Sequence, residues 1–169
     1  MNPTGTAEVA PDLEEMLVEV LEAVSGEPAM VAAERDAVEC PHAMARLAIH
    51  DPERDRYSIV EVWLVASIAR ALASWMLSVP HPAREDVLDT VGELANILAG
   101  NVKTMLGRSH QLSLPEARLV DRGRVEPQAT GACRTALGEV LGQVVELVVY
   151  DDGDPSGLRW PGEIEVTRR

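Results

Sequence analysis

From Glu85 to Gly107 the chain reads EDVLDTVGELANILAGNVKTMLG, a long stretch without proline that keeps one helical period throughout. At about 100° per residue, Val91, Leu94, Ala95, Leu98, Val102, Met105 and Leu106 gather on one side, the apolar stripe of a helix packed against a core. The opposite side holds Glu93, Asn96, Gly100, Lys103 and Gly107. Two glycines therefore stand in line with a carboxylate and an amide. A glycine inside a helix costs about 0.5–1 kcal/mol relative to alanine, so a bare backbone on this face suggests that something comes close to it.

The rest of the chain supplies partners for that stripe. Residues 1–11, with Pro3, Gly5 and Pro11, read as a flexible leader, and a single domain is expected over 12–150. Asp12, with Glu15 three residues on, predicts a capped helix whose inner side is Leu13, Met16, Leu17, Val20, Leu21 and Val24, stopped by Gly26 and Pro28. Its outer face is acidic (Glu14, Glu15, Glu19, Glu22) and reads as solvated surface. Strand patterns follow at 30–38, 44–50 and 57–65, the last two joined by the charged turn Asp51-Pro52-Glu53-Arg54-Asp55-Arg56. Ala66 to Val79 returns to helix, with Ile68, Leu72, Trp75 and Met76 inward, and Trp63 and Trp75 read as core anchors. Leu112 to Val120 reads as a strand containing Pro115, hence at an edge or bulge, because proline cannot donate to a ladder. Residues 133–150 suit two strands breaking near Gly138 to Gly142, and 151–169 reads as a partly disordered tail or one added edge strand. The expectation is an α+β fold: one mainly antiparallel sheet of about six strands, two long helices packed on it and one shorter helix.

Composition removes several function classes. A formal net charge of −13 with 15 scattered basic residues argues against a nucleic-acid partner. No apolar run is long enough to insert in a membrane, the N-terminus lacks the regions of a signal peptide, and two cysteines make no disulfide scaffold, so a cytoplasmic protein is expected. Cys40 and His42, with His110 and Cys133 elsewhere, match no common zinc spacing, so no metal site is expected. Cys133 lies in an apolar run and reads as a small buried hydrophobe.

Chemistry therefore concentrates on Glu93 and Asn96. Residues three apart on a helix lie side by side, so both project into solvent, and Gly100 clears room one turn on. A carboxamide offers a donor and an acceptor, enough to hold a water in a fixed direction toward an electrophile. Phosphoryl transfer suits such a group, since its loose transition state asks mainly for positioning. The chain nevertheless has no Walker-type loop and no acidic cluster resembling a Mg²⁺ cage, so this would be half of an active site.

The string Gly92-Glu93-Leu94-Ala95-Asn96-Ile97-Leu98-Ala99-Gly100-Asn101-Val102-Lys103, followed by Leu112-Ser113-Leu114-Pro115, resembles the signature of the CheX family of chemotaxis phosphatases, relatives of CheC and FliY. The resemblance implies a CheC-like fold and a partner that completes the site, a phosphorylated CheY-like receiver bringing its phospho-aspartate, Mg²⁺ and lysine; the chain needs no cofactor of its own. It implies that Asn96 aligns the attacking water and Glu93 contacts the receiver's lysine, with Gly100 and Lys103 shaping the docking surface. A homodimer is also implied. The single Glu-x-x-Asn, with none in the Asp12 helix, resembles CheX more than CheC or FliY. Asn101, toward the apolar flank, reads as a structural side chain bonded to nearby backbone. The alternative is a non-catalytic CheX-like module that docks to a receiver or other signalling protein without hydrolysing anything.

Overall fold

The computed structural model describes residues 8–34, 41–107, 109–120 and 132–161. In chain order they form β1 (Glu8–Val9), α1 (Pro11–Ser25), β2 (Ala29–Val31), β3 (His42–Asp51), β4 (Arg56–Val65), α2 (Ala66–Leu77), α3 (Arg84–Leu106), β5 (Gln111–Leu112), β6 (Glu116–Val120), β7 (Cys133–Val140) and β8 (Gln143–Tyr150). The α+β architecture expected from the sequence is the one observed.

The sheet has eight strands in place of about six, yet it is six positions wide. Its order is β1-β7-β8-β4-β3-β5, with β2 continuing the β1 edge along β7 and β6 continuing the β5 edge along β3. Each edge is thus divided into two short strands, which is where the count differs. Every pairing is antiparallel except that of β1 with β7. Glu8–Val9, expected in a flexible leader, make that parallel pair.

Pro115 explains one of the divided edges. The single strand expected over 112–120 is broken at Ser113 to Pro115, because Pro115 has no N–H to give to β3. Ser113 repairs the ladder: its N–H donates to Ala48 O at 2.9 Å, and its buried hydroxyl accepts from Ala48 N–H at 2.8 Å. At the other hairpin, β7 and β8 turn through Leu141 (φ 53°) and Gly142 (φ 72°). Two positive φ angles are the requirement of a turn that matches the strand twist.

All three helices cover one face of the sheet. Leu13, Leu17 and Leu21 of α1, Ile68 and Leu72 of α2, and Leu94 and Leu98 of α3 join Leu47, Val60, Val62, Val145 and Leu147 in the main core. α1 seats closely on β7 because Gly138 has no side chain: a Cβ there would lie 2.8 Å from Leu21 Cδ1 and 3.1 Å from Leu17 Cγ. The other face carries a smaller cluster of Met44, Ile59, Trp63, Val148, Tyr150 and Leu158.

Leu158 reaches that cluster from the segment after β8, which forms turns and no strand among its described residues, 151–161. Arg134 bonds Asp151 at 3.2 Å, Arg56 pairs with Asp152, and Arg46 donates to Asp154 O at 2.7 Å, so three arginines hold this acidic segment. Trp160 packs edge-on to His50 and Tyr57, themselves stacked at 4.5 Å.

Several expectations are corrected. Asp12 does not cap α1: the N-cap is Ala10, without a side-chain bond, and Pro11 occupies the first turn. Trp75 is not a core anchor. It stands 52% exposed and lies across Gly26, whose αL conformation (φ 66°) ends α1. Met105 and Leu106 leave the apolar stripe and are exposed, since the last turn of α3 runs beyond the buried run ending at Val102. Of the strand expected over 30–38, only Met30 and Val31 belong to β2, the chain leaves the sheet at 32–34, and residues 35–38 lie outside the described ones. Cys40 is also outside them.

Candidate functional site

Helix α3 is placed by its buried side. Val87, Val91, Leu94, Ala95, Leu98 and Val102 face the core, and burying each large aliphatic side chain contributes about 1.5–3 kcal/mol, which fixes the rotation of the helix. Its start is held by Asp86, whose carboxylate accepts from Ala83 N–H at 3.0 Å, and Glu85 adds negative charge where the helix dipole favours it. Lys103 sits in the last turn, the complementary end.

With the rotation fixed, the opposite side is determined. Glu93 is exposed, and Asn96, Gly100 and Lys103 are half-buried on the same side of α3. Asp89, Glu93, Asn96, Gly100 and Thr104 follow one another at three- or four-residue spacing and so form a straight line along the helix. All four residues singled out from the sequence are therefore brought together. Asp89 and Thr104, which extend the line by one turn at each end, were not singled out; the four-residue spacing from Glu93 and from Gly100 was the available signal.

Among the described residues, no side-chain hydrogen bond or ion pair engages Glu93, Asn96 or Lys103. The neighbours behave differently. Asn101 Nδ2 donates to Ile97 O at 2.9 Å, the backbone bond expected of it, although the residue is exposed. Thr104 Oγ1 donates to Gly100 O at 3.0 Å. These two side chains turn back onto the helix, while the polar groups of Glu93 and Asn96 do not. A Cβ on Gly100 would meet nothing within 4 Å, so no internal contact requires that glycine.

The Leu-Ser-Leu-Pro segment lies beside this face. Were Gly92 an alanine, its Cβ would stand 3.6 Å from Pro115 Cγ, ordinary contact between helix and edge. Gly92, Asn96, Ala99 and Lys103 share that flank of the helix. Asn96 and Lys103 on that flank are half-buried, whereas Glu93 is exposed.

Apart from this face, a polar hollow of about 320 Å³ lies at the β3–β4 turn, lined by Asp51, Arg54, Arg56, Tyr57, Leu106 and His110 among others. Its charges are already paired. Arg54 bonds Asp51 at 2.9 Å and, with the Glu53 and Arg54 backbone N–H groups, holds its carboxyl below the usual carboxylate range. Arg56 does the same for Asp152. The His110 ring lies between the end of α3 and the hairpin, with Nδ1 3.1 Å from Gly107 O and Nε2 3.8 Å from Asp51 Oδ2. Among the described residues no group of three or more His, Cys, Asp or Glu side chains converges to hold a metal, and no helix is long and apolar enough to cross a membrane.

Residues 62–135, which include the whole of α3 and the Leu-Ser-Leu-Pro segment, match the family model described as Chemotaxis phosphatase CheX. The chain is CheX-like. Solved structures agree on the fold. CheX from Vibrio vulnificus superposes with a TM-score of 0.67 at 14% identity, covering 84% of this chain and 97% of that one. A chemotaxis protein from Desulfovibrio vulgaris Hildenborough gives 0.66 at 18% identity, covering 82% and 93%. The CheX of a CheX–CheY–beryllofluoride–Mg²⁺ complex from Borrelia burgdorferi gives 0.52 at 14% identity, covering 83% and 96%. No protein of curated function matches the chain.

Proposed function

We propose that this CheX-like chain is a cytoplasmic protein phosphatase that hydrolyses the aspartyl phosphate of a CheY-like response regulator. The observation that carries the reading is the pair Glu93 and Asn96, side by side on a helix face and without partners among the described residues, beside the open backbone of Gly100. A half-buried amide left unbonded inside its own fold is suited to bonds made on docking. The CheX match over 62–135 and the CheY-bound structure of a fold relative support the choice of partner.

In this reading the receiver brings the acyl phosphate, Mg²⁺ and a lysine. The Asn96 carboxamide accepts a hydrogen bond from a water and aligns its oxygen with the phosphorus. The P–O bond to the aspartyl oxygen breaks as the water oxygen bonds to phosphorus, the electron pair leaves on the receiver's aspartate carboxylate, and the water's two protons stay with the inorganic phosphate released. Glu93 pairs with the receiver's lysine and fixes the helix over the site. Gly100 lets the receiver backbone approach, and Lys103 lies at the rim with its charge toward the partner. Positioning of this kind supplies about 3 kcal/mol, roughly a hundredfold in rate.

The test is the loss of acyl phosphate from a purified CheY-like receiver of the same cell, with and without the protein. Faster loss supports the phosphatase; binding with unchanged loss makes the chain a docking module. The homodimer that belongs to this reading is measured by sedimentation.

A further inference from the structure

A stripe of one helix is too narrow to hold a receiver. A specific interface of standard size buries about 800 Å² on each partner, so a receiver seated on Glu93 and Asn96 must also cover what lies beside α3. The flank to which Asn96 and Lys103 incline is the one on which Gly92 meets Pro115, and there the neighbour is the break between β5 and β6.

That break has two unusual properties. Its backbone is pinned from both sides: Ser113 is bonded to Ala48 through N–H and hydroxyl, and Leu114 N–H donates to Arg159 O at 2.6 Å. Its side chain is nonetheless presented outward, with Leu114 41% exposed. An apolar side chain on a fixed backbone is costly to leave in water and loses little entropy when a partner covers it, which is the character of an interface anchor. Behind it lies a recess of about 400 Å³, lined by Leu114, Pro115, Glu116, Ala117, Gly157 and Arg159. The recess runs between the β5–β6 break with the start of β6 on one side and the segment following β8 on the other.

We propose that Leu114 and the recess behind it form a second docking point for the same receiver domain, one that sets affinity and leaves the reacting groups untouched. The inference rests on the functional reading above. The receiver is the occupant because Pro115, next to Leu114, stands against α3 at Gly92, one turn before Asn96, so the rim continues the face that presents that amide.

The test measures binding of a beryllofluoride- and Mg²⁺-loaded CheY-like receiver by titration calorimetry, and phosphate release across receiver concentrations. Leu114→Asp is expected to weaken binding roughly tenfold, with an unchanged rate at saturating receiver, and Leu114→Met to stay within about twofold of wild type. Arg159→Ala, on the opposite wall, keeps the backbone carbonyl that holds Leu114 and is expected to weaken binding about threefold; it serves as the independent variant, with thermal unfolding as the check on folding. Wild-type affinity in both folded variants overturns the inference alone. A change in sedimentation with unchanged receiver affinity also overturns it, because the recess then belongs to a contact between copies. If the wild-type chain does not bind the loaded receiver, the functional reading fails first and the docking point with it.

Discussion

Gly100→Ala separates what the helix needs from what the face is for. The position lies inside α3, where glycine costs about 0.5–1 kcal/mol relative to alanine, and an added Cβ meets nothing within 4 Å. No clash is subtracted from the gain. The variant is therefore expected to be more stable by that amount, raising the thermal midpoint by about 1–4 °C for a domain of this size. Receiver binding should move the other way. A methyl group forced into a packed contact costs about 1–3 kcal/mol, a weakening of roughly 5- to 150-fold. Circular dichroism melts and calorimetry with the beryllofluoride-loaded receiver measure the two quantities on one sample. Greater stability with unaltered binding would refute the claim that the bare backbone serves a partner. Lower stability would refute the claim that nothing inside the fold requires the glycine.

Three further expectations concern the scaffold. Ser113→Ala leaves the buried Ala48 N–H without its acceptor and should cost about 1–3 kcal/mol in urea unfolding; a loss below 0.5 kcal/mol would mean the β3 ladder does not depend on that hydroxyl. Gly138→Ala drives a methyl into Leu17 and Leu21 and should cost about 1–3 kcal/mol, read from the same unfolding curves, with wild-type stability contradicting the close seating of α1. Asp51 has its carboxyl pKa lowered in the fold, mainly by the Arg54 hydrogen bond, so its contribution is present above the unfolded value of about 3.9 and is lost as pH falls through the lower folded value. Urea midpoints of wild type should therefore fall more between pH 5 and pH 3 than those of Asp51→Asn; equal falls would remove Asp51 from the acid transition.

Much of the architecture is written in local pattern. The three helices, the β3–β4 hairpin and the break of 133–150 into two strands follow from spacing and from glycine and proline, because burial on one side imposes a period. What local pattern does not carry is how far each element extends over its neighbours. Met105 and Leu106 keep the helical period of α3 yet are exposed, and Trp75 keeps that of α2 yet lies outside over Gly26. Period assigns a side, and the length of the surface opposite decides burial. The division of the β5–β6 edge was half legible: Pro115 announced a disturbance, while the hydroxyl of Ser113 that repairs it depends on Ala48, far away in sequence. For the candidate site, Glu93, Asn96, Gly100 and Lys103 were placed together by helical spacing alone. The rim at Leu114 was not, because the contact between Gly92 and Pro115 and the bond from Leu114 to Arg159 are tertiary.

The most direct test of the central claim is the rate at which a phosphorylated CheY-like receiver loses phosphate in the presence of wild type, Asn96→Ala and Glu93→Ala, each at saturating concentration. Asn96→Ala is expected to bind the beryllofluoride-loaded receiver within a few-fold of wild type while its acceleration falls roughly a hundredfold, and Glu93→Ala to lose affinity as well. An Asn96→Ala protein that accelerates phosphate loss as fast as wild type would contradict the water-positioning role.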